Sequence, residues 1–256
     1  MLLGLIIALI FGVDSDTSEF ASYIPHIKKE IRNHVPEGSR KDTLLLLVKD
    51  YDKTIKKYDK KKKKLKKTLH KAGSDREVST DDFLNHYERY YNARMELISS
   101  LIGYRIMFQE QITQEELLLV AEEAGFTSKK ERRKEGKQEK KAEKKLDKVF
   151  EDINNIVLKH IEDSTKTELV SRSLLDFETT IYAYVDEAKE LVAARHLMLD
   201  DNSATREEID EIYNRSNQLM YQASRDYVEL REIIINSTNE KEWRAINKEL
   251  DAFLKT

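Results

Sequence analysis

Apolar residues recur along this chain at alternating steps of four and three. From Leu44 the walk meets Leu44, Val48, Tyr51, Ile55, Tyr58, Lys62, Leu65 and Leu69, and seven of these eight positions are apolar or aromatic. The same walk gives Phe83, Tyr87, Tyr90, Arg94, Leu97, Leu101, Tyr104 and Phe108, then Ala142, Leu146, Val149, Ile153, Ile156 and His160. Two later segments follow suit: Val170, Leu174, Phe177, Ile181, Tyr184, Ala188 and Leu191, then Ile209, Ile212, Ser216, Leu219, Ala223, Tyr227, Leu230 and Ile234. A spacing of about 3.5 residues, sustained this long, predicts helices packed side by side at shallow angles. A last stretch, "WRAINKELDAFLK", predicts a short closing helix with Trp243, Ile246, Leu250 and Phe253 on one side.

Punctuation supports the same picture. Both prolines, Pro25 and Pro36, fall in the first 36 residues, and the few glycines stand singly. Breaks are predicted at "PEGSRKD", "KAGSDREVSTDD", "EQITQEE", "EAGFTSKK", "EDSTKTE", "LDDNSATREE" and "NSTNEKE". Small polar residues there precede acids, as at helix N-termini; Thr80 before Asp81 and Asp82, and Thr113 before Glu116, are the predicted caps. Runs of alternating β-branched residues are lacking, so no strand is predicted. The expected fold is all-α: an elongated antiparallel helical bundle or coiled coil of about five long helices plus short terminal helices. Its expected parts are an apolar segment over 1–13, a linker with a short helix over 14–40, and the bundle over 41–256.

Charge adds an asymmetry. Residues 1–149 carry 32 Lys/Arg against 25 Asp/Glu, whereas residues 150–256 carry 13 against 23, so a net charge of -3 conceals a basic half and an acidic half. The most basic stretch, "KKYDKKKKKLKKTLHK" over 56–71, places Tyr58, Leu65 and Leu69 on the apolar seam and most of its lysines outside it. Between Asp52 and Lys71 there are 11 Lys and 2 Asp. Pairing within one helix cannot balance that excess, so either an acidic helix of the same chain or an external anion must. The candidate contacts are Lys56, Lys57, Lys60, Lys61, Lys63, Lys64, Lys66 and Lys67. A second basic stretch, from Ser128 to Lys148, alternates its charges with acids every four residues; from Ser128 to Lys145 only Ala142 is apolar, which predicts a solvated helix polar on all sides or a stretch frayed around Gly136.

The N-terminal "MLLGLIIALIFGV" has thirteen uncharged residues, and no Lys or Arg occurs before Lys28. A helix of that length reaches about 20 Å against a hydrocarbon core of about 30 Å. Its apolar character and the positive charges downstream point to a membrane contact through residues 1–13 with the bulk of the chain cytoplasmic; export by a cleaved signal peptide is the alternative.

Chemistry finds little foothold. Cys is absent, which excludes disulfides, thiolate metal sites and cysteine nucleophiles. Di-iron bundles use Glu-x-x-His, and no Glu here is followed three residues later by His. Acids near five of the six histidines match what 48 acids supply by chance, and His160 on its apolar face is expected to be hydrogen-bonded at the core boundary. Phosphate-binding glycine loops and nucleophile elbows are missing. Catalytic, metal and cofactor residues are therefore not assigned. Arg94, interrupting a seam, is expected to pair with Glu88, Glu96 or an acid of a neighbouring helix. Tyr87, Tyr90 and Tyr184 are expected in the seams with their hydroxyls at the bundle's edge.

These features suggest a non-enzymatic, membrane-tethered helical scaffold or protein-interaction module, with a protein partner and possible self-association. The alternative is a module that binds anionic membranes or nucleic acid through the lysine-rich helix; nucleic acid is the weaker member of that pair, because no nucleic-acid-binding motif accompanies the charge. A helical metal or cofactor protein is the further alternative.

Overall fold

The computed structural model describes residues 13–124, 146–198 and 201–253. Eight helices and no strand occur among these residues, so the chain is an all-α helical bundle. They are α1 (Val13–His34), α2 (Ser39–Ser74), α3 (Thr80–Gln111), α4 (Gln114–Ala124), α5 (146–159), α6 (Ser164–Leu197), α7 (Arg206–Ser237) and α8 (Glu240–Phe253). The 36 residues of α2 make a rod of about 54 Å.

Four long helices lie in the order α2, α3, α7, α6, each packed on the next. Neighbours run antiparallel. Between α2 and α3, Thr54 lies 3.2 Å from Tyr104 and Lys61 2.6 Å from Glu96. Between α3 and α7, Thr80 donates to Glu232 at 2.9 Å, Tyr91 to the Met220 carbonyl at 2.7 Å and Arg94 to Asn217 at 2.9 Å. Tyr184 of α6 donates to Asp226 of α7 at 2.8 Å, and Glu187 meets Arg215 further along.

The seam residues of α2, α3, α6 and α7 are buried or half-buried, with the alternating spacing the sequence predicts. Beyond those seams, α3 also buries Tyr91, Ala93, Ile98 and Ile102, and α7 buries Met220, Ser224, Val228 and Arg231. These are the two inner members of the row. Each packs against a helix on both sides, which widens the buried face beyond a single stripe.

Over residues 14–40, where a linker with a short helix is expected, α1 runs for 22 residues. Ile24, Ile27, Ile31 and Val35 are buried with Leu44, Val48 and Ile55 of α2 and Leu117, Val120 and Ala121 of α4. Pro25 lies inside α1 on its exposed side, where the missing N–H removes one helical hydrogen bond without breaking the helix. Pro36 falls in the turn to α2, followed by Gly38 at φ +144°, a conformation that favours glycine.

Helix starts follow capping chemistry. Ser79 rather than Thr80 caps α3, accepting from the Asp82 N–H at 3.1 Å. Thr113 accepts from the Glu116 N–H at 3.2 Å while Glu116 accepts from the Thr113 N–H at 2.9 Å. Thr205 and Glu208 form the same reciprocal box at the start of α7.

Two arginines close helix ends across the bundle. Arg231 of α7 reaches the end of α2, donating to the carbonyls of Gly73 at 3.2 Å, Val78 at 3.4 Å and Asp75. Its guanidinium lies 4.9 Å from the Phe83 ring centre and 5.6 Å from that of Trp243. Trp243 of α8 donates to the Ser74 carbonyl at 3.2 Å. In return Arg76, just after α2, donates to the carbonyls of Ile235 at 2.7 Å and Thr238 at 2.6 Å at the end of α7. Carbonyls at the C-terminal ends of α2 and α7 thereby gain charged donors from across the bundle, beside the local N–H groups of Val78 to Asp75 at 3.4 Å and Thr238 to Ile235 at 3.3 Å, and positive charge sits at the negative ends of both dipoles.

Candidate functional site

At about 100° per residue, the packed face of α2 is centred on Leu44, Ile55 and Lys62. Opposite it, Lys49, Lys53, Lys56, Lys57, Lys60, Lys63, Lys64, Lys67 and Lys71 are all exposed. They fall within an arc of about 120° and along about 33 Å of helix. Of the eight candidate contacts, Lys56, Lys57, Lys60, Lys63, Lys64 and Lys67 belong to this face. The other two do not: Lys61 stands on its flank, turned toward α3 and paired with Glu96, and Lys66 lies toward the packed side of α2, half-buried and already in contact. Lys62 is buried on the seam with its ammonium 5.9 Å from the Tyr58 ring centre, its stem covered and its charge over the aromatic face.

The excess charge is only partly answered within the chain. Lys53 pairs with Asp50 at 2.9 Å and Lys56 with Asp52 at 2.7 Å. Among the described residues no carboxylate stands within 4.0 Å of Lys57, Lys60, Lys63, Lys64 or Lys67. The order of helices explains why. α2 carries 14 Lys/Arg against 4 Asp/Glu, while α6 carries 4 against 6 and α7 carries 4 against 7. α3 stands between α2 and these acidic helices. Like charges three and four residues apart, such as Lys60 with Lys63 and Lys64, cost the helix a few tenths of a kcal/mol per pair.

Tertiary packing extends the basic face onto α1. A surface groove between α1 and α2 is lined by Lys28, Arg32, Leu45, Leu46 and Lys49. Leu46 is 54% exposed there, an aliphatic side chain surrounded by cations. Lys49, Lys53 and Lys71 are accessible by extending the lysine periodicity in both directions. Lys28 and Arg32 are not, since only the packing of α1 brings them alongside.

The remaining singled-out residues serve the fold. Arg94 is buried, and its bond goes to the neutral amide of Asn217 rather than to an acid. That correction has a simple cause: the adjoining α7 turn offers an amide, which satisfies the guanidinium without a second buried charge. Tyr184 reaches Asp226, and burial followed by that carboxylate pushes its hydroxyl up to about 12. Tyr87 does not reach the edge; it is buried between Phe83 and Tyr91, and desolvation pushes its pKa well up. His160 lies 2.7 Å from Glu249, a carboxylate that Lys159 also meets at 3.0 Å. These two contacts hold Glu249 below the ordinary carboxylate range.

Among the described residues there is no group of three or more His, Asp or Glu placed to hold a metal ion. No helix among them is long and apolar enough to cross a membrane. Residues 1–12 and most of the second basic stretch, 128–145, lie outside the described residues. Comparison with protein-family models, curated proteins and solved structures finds no match to this chain.

Proposed function

We propose that this protein is a helical scaffold that lies side-on against an anionic membrane surface, with the outer face of α2 and the adjoining α1 groove as its contact. The observation that carries the reading is the run of exposed lysines at 57, 60, 63, 64 and 67, which no carboxylate of the described residues answers. Folding does not need those charges and is opposed by them, whereas a surface of acidic lipid headgroups relieves their repulsion.

Geometry favours a lipid surface over a small anionic ligand. The lysines form a long, straight stripe rather than a pocket, and Leu46 projects among cations where it can enter the headgroup region. Each lysine near such a surface contributes about 1 kcal/mol. The apolar residues 1–13 would supply a second attachment, since stable anchoring takes two signals. With the basic side on the membrane, the acidic side of α6 and α7 is turned away from it, where a protein partner would be met.

Vesicle flotation tests the reading. The full chain should bind vesicles containing phosphatidylserine far better than neutral ones, and binding should weaken as salt shortens the Debye length. Changing Lys57, Lys60, Lys63, Lys64 and Lys67 together to Gln should weaken the phosphatidylserine-dependent part by about three orders of magnitude at low salt. Unchanged binding, or equal binding to neutral vesicles by both proteins, would sink the proposal. Tighter binding to duplex DNA than to vesicles would move the face to nucleic acid.

A further inference from the structure

The groove between α1 and α2 takes its parts from two helices. Lys28 and Arg32 stand one turn apart on α1, and Leu45, Leu46 and Lys49 follow closely on α2. Packing lays the two sets around a cleft of about 320 Å³, near the lower end of the roughly 300–1,000 Å³ typical of small-ligand clefts. The lining is almost wholly aliphatic, so Leu45, Leu46 and the stems of the cations form the walls, and the charged ends stand about the mouth. Lys28 is half-buried, while Arg32, Leu46 and Lys49 are exposed.

Neighbouring cations are answered within the chain, and these three are not. Lys29 pairs with Glu30 at 3.0 Å, and Lys41 meets Glu37 and the Arg32 carbonyl, each at 2.7 Å. Among the described residues the side chains of Lys28, Arg32 and Lys49 have no ion pair or hydrogen bond, and no Asp or Glu of those residues lines the groove. Lys28 and Arg32, four residues apart on one helix, repel each other, and Lys49 adds a third like charge from α2.

Chemistry narrows the anion that fits. A phosphate monoester carries a charge of about -1.5 to -2 at pH 7 and three strong acceptor oxygens, more than the phosphodiester of phosphatidylserine offers. Arg32 supplies a planar fork that binds such oxygens in pairs, and Lys28 and Lys49 supply point charges. Leu46 then decides which monoester. Its side chain is 54% exposed beside the cations, so phosphate and hydrocarbon must be neighbours in the ligand too. In phosphatidic acid the monoester sits on the glycerol itself, whereas an inositol ring holds its monoesters away from the acyl chains.

We infer that this groove binds the headgroup of phosphatidic acid in the membrane, its phosphate monoester held by Lys28, Arg32 and Lys49, with the glycerol and upper acyl carbons against Leu45 and Leu46. The inference rests on the side-on membrane contact proposed above. It adds a preference among acidic lipids, which a stripe of exposed lysines alone does not supply.

Flotation of the full chain tests it, with phosphatidic acid and phosphatidylserine vesicles adjusted to equal zeta potential, so that the ratio of the two affinities reports the groove alone. The wild type should favour phosphatidic acid about tenfold. Lys28→Gln with Arg32→Gln should weaken binding to both lipids and bring the ratio to about one, with Lys49→Gln as the second variant should the first melt early. Arg32→Lys keeps the charge and should lower the ratio to about threefold, because the fork is lost. Leu46→Gln should weaken phosphatidic acid binding about fivefold. The quintuple Lys→Gln protein should bind both lipids more weakly and keep the ratio. A wild-type ratio near one with phosphatidylserine binding intact would overturn this inference alone; no binding to either lipid would remove the membrane reading with it. Survival of the ratio in folded groove variants, or its loss in the quintuple variant, would also overturn the assignment. So would tighter binding to phosphatidylinositol bisphosphate at the same zeta potential, or displacement by glycerol 3-phosphate beyond that of chloride at equal ionic strength, which would move the site to an inositol headgroup or a soluble phosphate.

Discussion

Arg231 is the residue whose removal should tell most about how the bundle holds its longest helix. Its guanidinium donates to the carbonyls of Gly73, Asp75 and Val78 and lies between Phe83 and Trp243. Burial pulls its pKa down from the ordinary value, with Tyr227, Asp75 and Tyr87 acting the other way. Arg231→Met keeps most of the aliphatic stem between the two rings and removes the donors. The carbonyls of Gly73, Asp75 and Val78 each lose a charged donor, at about 1.5–3 kcal/mol per bond, and Asp75 keeps only the 3.4 Å bond from the Val78 N–H. The desolvation cost of the guanidinium disappears with it and offsets part of that loss. A net loss of about 3 kcal/mol is expected. Arg231→Ala should cost about 1–2 kcal/mol more, because the stem no longer fills the space between Phe83 and Trp243. Arg231→Lys should fall between wild type and Met, since a point charge cannot serve three carbonyls as the fork does. Equilibrium urea unfolding followed by far-UV circular dichroism is the assay. With a slope of about 2–3 kcal/mol per molar, Arg231→Met should lower the midpoint by about 1–1.5 M. A midpoint within about 0.2 M of wild type would refute the cross-bundle capping argument.

Other consequences are as direct. Tyr91→Phe removes a buried hydroxyl that donates to the Met220 carbonyl and meets Ser224, and should cost about 1–2 kcal/mol in the same urea assay. Burial raises the Tyr91 pKa above its unfolded value. The folded state therefore holds that proton more tightly, so the stability it provides is full below about pH 10 and declines as pH rises past it. Urea midpoints measured from pH 9 to pH 11 should fall, and fall less steeply in Tyr91→Phe; parallel slopes would remove Tyr91 from the account. Thr205→Ala, which breaks the capping box of α7, should cost about 1 kcal/mol. Thr205→Ser should restore most of that, read as melting temperature.

The helices, their caps and their apolar seams were legible because these depend on neighbours three and four residues away. The break at "LDDNSATREE" and the cap at Thr113 needed no knowledge of the fold. Helix α1 was less legible. Over 14–40 the sequence predicts a linker with a short helix, and the burial of Ile24, Ile27 and Ile31 depends on α2 and α4 arriving from elsewhere in the chain. The lysine face was legible as a local excess, but whether the acidic half neutralised it was not. That was decided by the order α2, α3, α7, α6, which places a whole helix between the two charges.

By itself, then, the sequence determined that the chain is helical, where its helices begin, and that one of them carries more positive charge than it can balance. Those are short-range matters of periodicity, capping and charge count. Only the tertiary structure decided which helices bury two faces, that Arg94 meets an amide, that Arg231 and Arg76 close each other's neighbouring helix ends, and that Lys28, Arg32 and Leu46 join the lysine stripe. Each of these depends on residues brought together from distant parts of the chain, and no local pattern encodes which helix will be the neighbour.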